Sequence, residues 1–236
     1  MEQKENRIGE HIPPTETDSQ TERADRLLEF FILNKNLIIT VTIAVTLVAA
    51  ALVYLRQQRQ SAEETANRLV SHAAASAQIG NWQQAIDGDG SLKGFREIIR
   101  EYGSTPSGNF AKILIGDSFF ALQQIDSALA SYRSYSGKYP DLAASAKAGE
   151  AACLLRKNEL SAAAPAFEKA SETATNQALK ALYLADAADA YSSLGELDKA
   201  VTLYKQVIRK YPGFTAAAKA EQSLLSLAGK AGNVDL

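Results

Sequence analysis

The sequence predicts an all-α protein: one membrane-spanning helix followed by a solenoid of helix-turn-helix repeats. Three observations carry that reading. Leu37 to Leu55 is a run of nineteen residues without a charge. Four aromatics, Phe95, Tyr132, Phe167 and Tyr204, recur at intervals of 37, 35 and 37 residues. Alanine is abundant and β-branched runs are confined to the apolar segment, which favours helix over strand elsewhere. With 236 residues, 46% apolar and 22% charged, the chain has material for a sizeable core. A net charge of −2 and a pI near 5.8 leave no surplus of positive charge for a nucleic-acid surface. One cysteine excludes a disulfide framework and any Cys-rich zinc site.

Residues 1–21 are polar, charged and broken by Pro13-Pro14, and read as a disordered tail. Eight acids against five basic residues up to Lys35 make this a solvated segment, not a polybasic lipid-binding arm. A juxtamembrane helix is expected over 22–36. Its Leu27, Leu28, Phe30, Phe31, Ile32 and Leu33 lie along the bilayer surface or form the first turns of the spanning helix.

As a helix, the 37–55 run is about 28 Å long, matching a hydrocarbon core of roughly 30 Å. Lys35 precedes it, Arg56 and Arg59 follow, and Tyr54 stands where an interfacial aromatic belongs. A buried core helix would be shorter and carry a polar stripe. A cleaved signal peptide would use Ala49-Ala50-Ala51, but a polar stretch of more than thirty residues precedes a run too long for a signal core. A lipoprotein would need a cysteine just past the run, and Cys153 lies far downstream. The segment is therefore read as an uncleaved anchor. Flanking charges do not orient it, since Arg23, Arg26 and Lys35 balance Arg56, Arg59 and Arg68. Neither glycine nor proline interrupts Glu22 to Ile79, so one long helix is expected to run through the membrane and into the following domain.

After the span the chain repeats itself. ALASYRSYSGKYP (128–140), AAPAFEKASETAT (163–175) and AVTLYKQVIRKYP (200–212) superimpose, each with an aromatic four residues after its first alanine. FREIIREYGSTP (95–106) matches YKQVIRKYPGFT (204–215). A period near 34 with this pattern marks tetratricopeptide repeats. Small residues Gly116, Ala151 and Ala188 on helix A, and Ala128, Ala163 and Ala200 on helix B, are expected where paired helices cross, with almost no exposed surface. Pro140 and Pro212 are expected to stop the second helices. The expected solenoid spans 56–230: repeats at about 62–105, 109–142, 144–177 and 181–214, a cap at 215–230, and a flexible end at 231–236. The first repeat is degenerate, giving about three and a half in all, and the helix pairs should turn near 80, 123, 158 and 195. Its Ala85 and Phe95 are ten residues apart where the other repeats have four, and this six-residue excess falls in the DGDGSLKG stretch. A calcium loop there fails on spacing, because Leu92 and Ile98 occupy the positions that need glycine and glutamate, so a turn insertion is expected.

TERADRLLEFFILNKNLII with its span, then AIDGDGSLKGFREIIREYGSTPSGNFAKILIGDSFFAL, resembles bacterial single-span tetratricopeptide proteins of the ancillary SecYEG translocon subunit type. That wider family includes the repeat domain of a periplasmic cell-division coordinator. The resemblance covers roughly residues 22–228, and its most specific parts are the insertion and the EYGSTPSGN connection. It implies a single-pass inner-membrane protein with its amino terminus in the cytoplasm and its repeats in the periplasm. It further implies association with the SecYEG translocon and with periplasmic chaperones.

No catalytic constellation, metal site or cofactor site is expected. His11 lies in the tail, His72 on an alanine-flanked helix, and Cys153 reads as a small buried hydrophobe. Small-molecule substrates and nucleic acids are not expected partners. What remains is a binding surface on the inner faces of the A helices. Its expected exposed positions are Ile113, Asp117 and Phe120, then Ala148, Ala152 and Leu155, then Ala185, Asp189 and Ser192. Asp117 and Asp189 would repel a terminal carboxylate, so the groove suits a helix or apolar segment. The expected function is a non-enzymatic, membrane-anchored interaction module. The alternative is an assembly scaffold for envelope or division machinery, acting through self-association into homo-oligomers.

Overall fold

The computed structural model describes residue 26 and residues 28–231. The expected tail (1–21) with His11, the first residues of the juxtamembrane segment and residues 232–236 lie outside the described residues. The chain divides into two compact units, residues 1–58 and 59–236.

In the first unit, residues 28–33 are helical and are followed by α1 (Lys35–Gln78). Apart from half-buried Ile38, the large apolar side chains from Leu37 to Leu55 are exposed, and the helix is long and apolar enough to cross a membrane. Thr40, Thr42 and Thr46 return their hydroxyls to carbonyls four residues back, each at 2.8 Å. These polar groups are thereby satisfied inside the helix, as a hydrocarbon surrounding requires.

In the second unit the last turns of α1 bury Ala66, Val70 and Ala73. Then follow α2 (Trp82–Asp87), α3 (Phe95–Tyr102), α4 (Pro106–Ala121), α5 (Ile125–Arg133), α6 (Pro140–Arg156), α7 (Leu160–Thr173), α8 (Gln177–Leu194), α9 (Leu197–Lys210) and α10 (Thr215–Ala231). This is the tetratricopeptide-like solenoid expected from the sequence. Helices α4, α6 and α8 are A helices, α5, α7 and α9 are their B partners, and α10 is the cap. Among the described residues the sole β-type pairing is an isolated antiparallel bridge between Gly88 and Lys93.

That bridge belongs to the insertion in the first repeat, which splits the B helix into α2 and α3. Asp89 closes its turn: Oδ1 accepts from the Ser91 hydroxyl at 2.7 Å and from the Leu92 and Ser91 amides at 2.8 and 3.0 Å. The Ser91 hydroxyl and these two amides hold the carboxyl down at about 2. Asp89 of the DGDGS stretch therefore serves the turn, while Asp87 pairs with Arg96.

All four helix-pair turns use one backbone device. Gly80, Gln123, Asn158 and Gly195 each have positive φ, between 60 and 88°. The amide of each bonds the carbonyl three residues back, and the next amide (Asn81, Gln124, Glu159, Glu196) bonds the carbonyl five back. This is the Schellman closure of a helix end, and it satisfies carbonyls that would otherwise be orphaned. The residue after each left-handed position has φ near −83° and ψ near 60°, so the B helices leave in a common direction. The turns fall at the expected positions.

The prolines do something else. Pro140 does not end α5, which stops at Arg133; it is the first residue of α6, as Pro106 is of α4. A proline at that place loses no hydrogen bond and arrives with helical φ. Pro212 does follow the end of α9. The A helices begin three or four residues ahead of the boundaries drawn from the repeat pattern. Thr105 accepts from the Gly108 amide and Asn176 from the Ala178 and Leu179 amides, capping α4 and α8.

Packing follows the residue types. Ala128, Ala163 and Ala200 expose no surface, nor do Ala151 and Ala188. The aromatics Phe95, Tyr132, Phe167 and Tyr204 are at most 5% exposed. Each A helix packs on its B partner and on the next A helix, whereas no two B helices pack on each other. The A helices therefore line the inner side of a curved stack. The core falls into two clusters, one from Val70 to Cys153 and one from Ala144 to Leu224. They meet at α6, which turns Ala146 and Cys153 to the first and Ala144, Ala148 and Ala151 to the second. Cys153 is the buried small hydrophobe expected, and burial, then Glu150, pushes its thiol up to about 11.

Two substitutions test this geometry through the thermal midpoint of the helical signal of the full chain in detergent. Ala200→Leu should overpack the α8–α9 crossing and destabilise by about 1–3 kcal/mol. Gln123→Gly should relieve a left-handed non-glycine residue and stabilise by about 0.5–1 kcal/mol. An unchanged midpoint in the first, or a lowered one in the second, counts against the register and the turn.

Candidate partner-binding groove

The inner faces of α4, α6 and α8 line an open cavity of about 610 Å³, which Lys219 of α10 also borders. Its construction begins with missing side chains. A Cβ on Gly116 of α4 would stand 2.8 Å from the Tyr132 ring, and one on Gly149 of α6 would stand 2.5 Å from it. Two glycines thus let a B-helix aromatic slide between successive A helices. There the Tyr132 hydroxyl donates to Asp117 at 2.6 Å. Seventy-two residues on, the Tyr204 hydroxyl donates to Asp189 at 2.5 Å. The intervening repeat places Ala152 and Phe167 at those positions, with no acid and no hydroxyl.

Seven of the nine expected groove residues line the cavity: Ile113, Asp117, Phe120, Ala148, Ala152, Leu155 and Asp189. Ile113 and Ala148 are nevertheless buried, showing only an edge. Ala185 was expected to be exposed and is not; it is 0% exposed. Helix α10 packs on α8, and Ala185 shares a core with Ala216, Ala217 and Ala220 of that helix. Ser192 is half-buried and lies outside the cavity, in the turn that ends α8, where its carbonyl receives the Gly195 amide.

The repeat pattern missed Ser145, Tyr183, Asp186 and Lys219, which also line the cavity. Asp186 lies three residues before Asp189, and that spacing could have placed it on the same helix face. Lys219 carried no comparable signal, because its position depends on how the cap docks. Its ammonium stands 2.7 Å from Asp189 and 3.2 Å from Asp186. The Tyr183 and Ser145 hydroxyls meet at 3.0 Å.

The electrostatics are those of a concave surface with apolar walls. Asp117 is solvent-accessible at the mouth but densely surrounded by protein, and this burial raises its pKa despite the Tyr132 hydrogen bond. Burial also raises Asp186, with Lys219 opposing. Burial works against the Lys219 charge, but the bond to Asp189 and the field of both acids outweigh it, so its pKa is raised. Burial and then the Asp117 charge push the Tyr132 phenol upward. Among the described residues no group of His, Cys, Asp and Glu side chains has the arrangement of a metal site.

A tetratricopeptide-repeat family model matches residues 111–142 and 186–213, the second and fourth repeats. A solved structure described as the crystal structure of MamA is similar at 21% identity. The match covers 55% of this chain and 78% of that one, with a TM-score of 0.40. No curated protein sequence matches the chain. The repeats are of a kind that serves as a protein-interaction scaffold, and the groove is where such a scaffold offers its surface.

Asp117 gives the groove a testable pH signature. Its folded pKa lies above the unfolded value, so the folded state binds the extra proton, and stability is lost as pH rises through the raised value. Asp117→Asn keeps an acceptor for Tyr132 and removes the charge. The variant should therefore melt at a higher temperature than the parent at neutral pH, and the gap should close as pH falls below the raised value. A gap that widens on acidification would show that the carboxylate is stabilised in the fold.

Proposed function

We propose that this chain is a non-enzymatic, membrane-anchored interaction module, with its amino terminus in the cytoplasm and its repeats in the periplasm. In this reading it works beside the SecYEG translocon and alongside periplasmic folding factors. The observation that carries the interaction role is the cavity on the A-helix wall. It is large enough to take side chains of a protein segment, and its lining is apolar with a few charged groups, the usual make-up of a recognition site. The membrane role rests on α1, whose apolar stretch has the length and composition of a span. The translocon is favoured by the resemblance of residues 22–228, above all by the insertion and the EYGSTPSGN connection. The tie in flanking charges leaves export of the repeats open, because long segments cross largely regardless of charge.

Two measurements test the reading. Co-purification of the full chain from bacterial membranes in mild detergent should bring SecYEG subunits with it. Recovery of self-oligomers alone would favour the scaffold role instead. A reporter active only after export, fused after Leu236, should be active, and protease added to spheroplasts should remove the repeats. Repeats protected until the membrane is broken would place them in the cytoplasm and exclude a periplasmic role.

A further inference from the structure

Asp117 and Asp189 occupy the same place in their repeats, each accepting the hydroxyl of a tyrosine fifteen residues on. Their surroundings differ in one respect. Asp189, with Asp186, holds the Lys219 ammonium supplied by the cap helix. Asp117 accepts the Tyr132 hydroxyl, and no lysine or arginine among the described residues pairs with it. The protein thus shows, at one end of the cavity, that an acid on this wall takes an ammonium in apolar surroundings. At the other end it leaves the equivalent acid without one.

The rest of the lining sets the character of what could fill that place. Ile113 and Phe120 flank Asp117 on α4, and Ala148, Ala152 and Leu155 face it from α6. Within the cavity three carboxylates stand against one ammonium. An acidic segment would meet unbalanced repulsion here, and a wholly apolar one would leave Asp117 desolvated and unpaired. Asp117 is also exposed at the mouth, so its carboxylate is open to a charge from outside.

We propose that the groove takes a segment of another protein that is apolar along one face and carries a lysine or arginine, whose charged group seats on Asp117. The proposal rests on the groove being a protein-binding surface and goes further by naming the chemistry of its ligand.

The test pans a phage library of random twelve-residue peptides on the detergent-solubilised full chain. Selected peptides should combine apolar residues with a lysine or arginine. Replacing that residue by norleucine in a selected peptide should weaken binding about tenfold. The loss should disappear in Asp117→Asn, which should bind both peptides alike. Raised salt should weaken the lysine peptide and leave the norleucine peptide unchanged.

The outcomes separate the two levels of the claim. Peptides selected with no basic preference overturn the cation site while leaving the groove intact. A norleucine loss that persists in Asp117→Asn also overturns it, by placing the cation on Asp186 and Asp189. Peptides that bind Leu155→Glu as tightly as the parent, or no selection above background, overturn the groove reading together with it. Self-association of the chain that is lost in Asp117→Asn would put a second copy on this face and overturn the proposal as well.

Discussion

Everything in the repeat unit depends on how closely two helices can approach, and that is decided by residues with almost no side chain. Alanines at the A–B crossings and glycines at 116 and 149 bring backbones near enough for the B-helix aromatics to reach across to the next A helix. The left-handed turns are the other half of this constraint. Because four turns share one hydrogen-bond pattern, each pair starts with the same crossing, and the stack curves instead of splaying. Curvature then places the A helices on one wall, and the groove follows from it. The shape of the groove is therefore set largely by small residues where helices meet.

The aspartate–tyrosine pairs show how local choices agree across the fold. At one equivalent groove position Asp117 and Asp189 each face a phenol fifteen residues later, and where that position is Ala152 the B helix carries Phe167. A buried phenol needs a partner, and a half-enclosed carboxylate needs a donor, so the two change together. The pairing is visible within a single chain because the chain contains its own comparison.

Much of this was legible in the sequence. The spacing of Phe95, Tyr132, Phe167 and Tyr204 located the repeats, because an aromatic that fills the gap between helices must recur with them. Gly80 and Gly195 marked turns directly, whereas Gln123 and Asn158 did so only through the period, since a non-glycine residue gives little sign of positive φ. Pro140 was misassigned because a proline is equally at home after one helix and at the start of the next. The groove was readable where its position depends on helical period, as at Asp117 and Ala152. It was not readable where it depends on docking of the cap, as at Ala185, covered by α10, and Lys219, contributed by it.

Helix α6 is the common wall of two cores, and it is also the floor of the groove. Its alanines and Cys153 divide between the clusters on either side, while Ala152 and Leu155 face the cavity between α4 and α8. In a solenoid each repeat is held mainly by its neighbours, so the link between the two clusters runs through α6. A segment bound across α4, α6 and α8 would be a strut spanning that seam. By linkage it would stabilise the folded form of both clusters at once. Occupancy of the groove would thereby reinforce α6 as the tie between the two clusters.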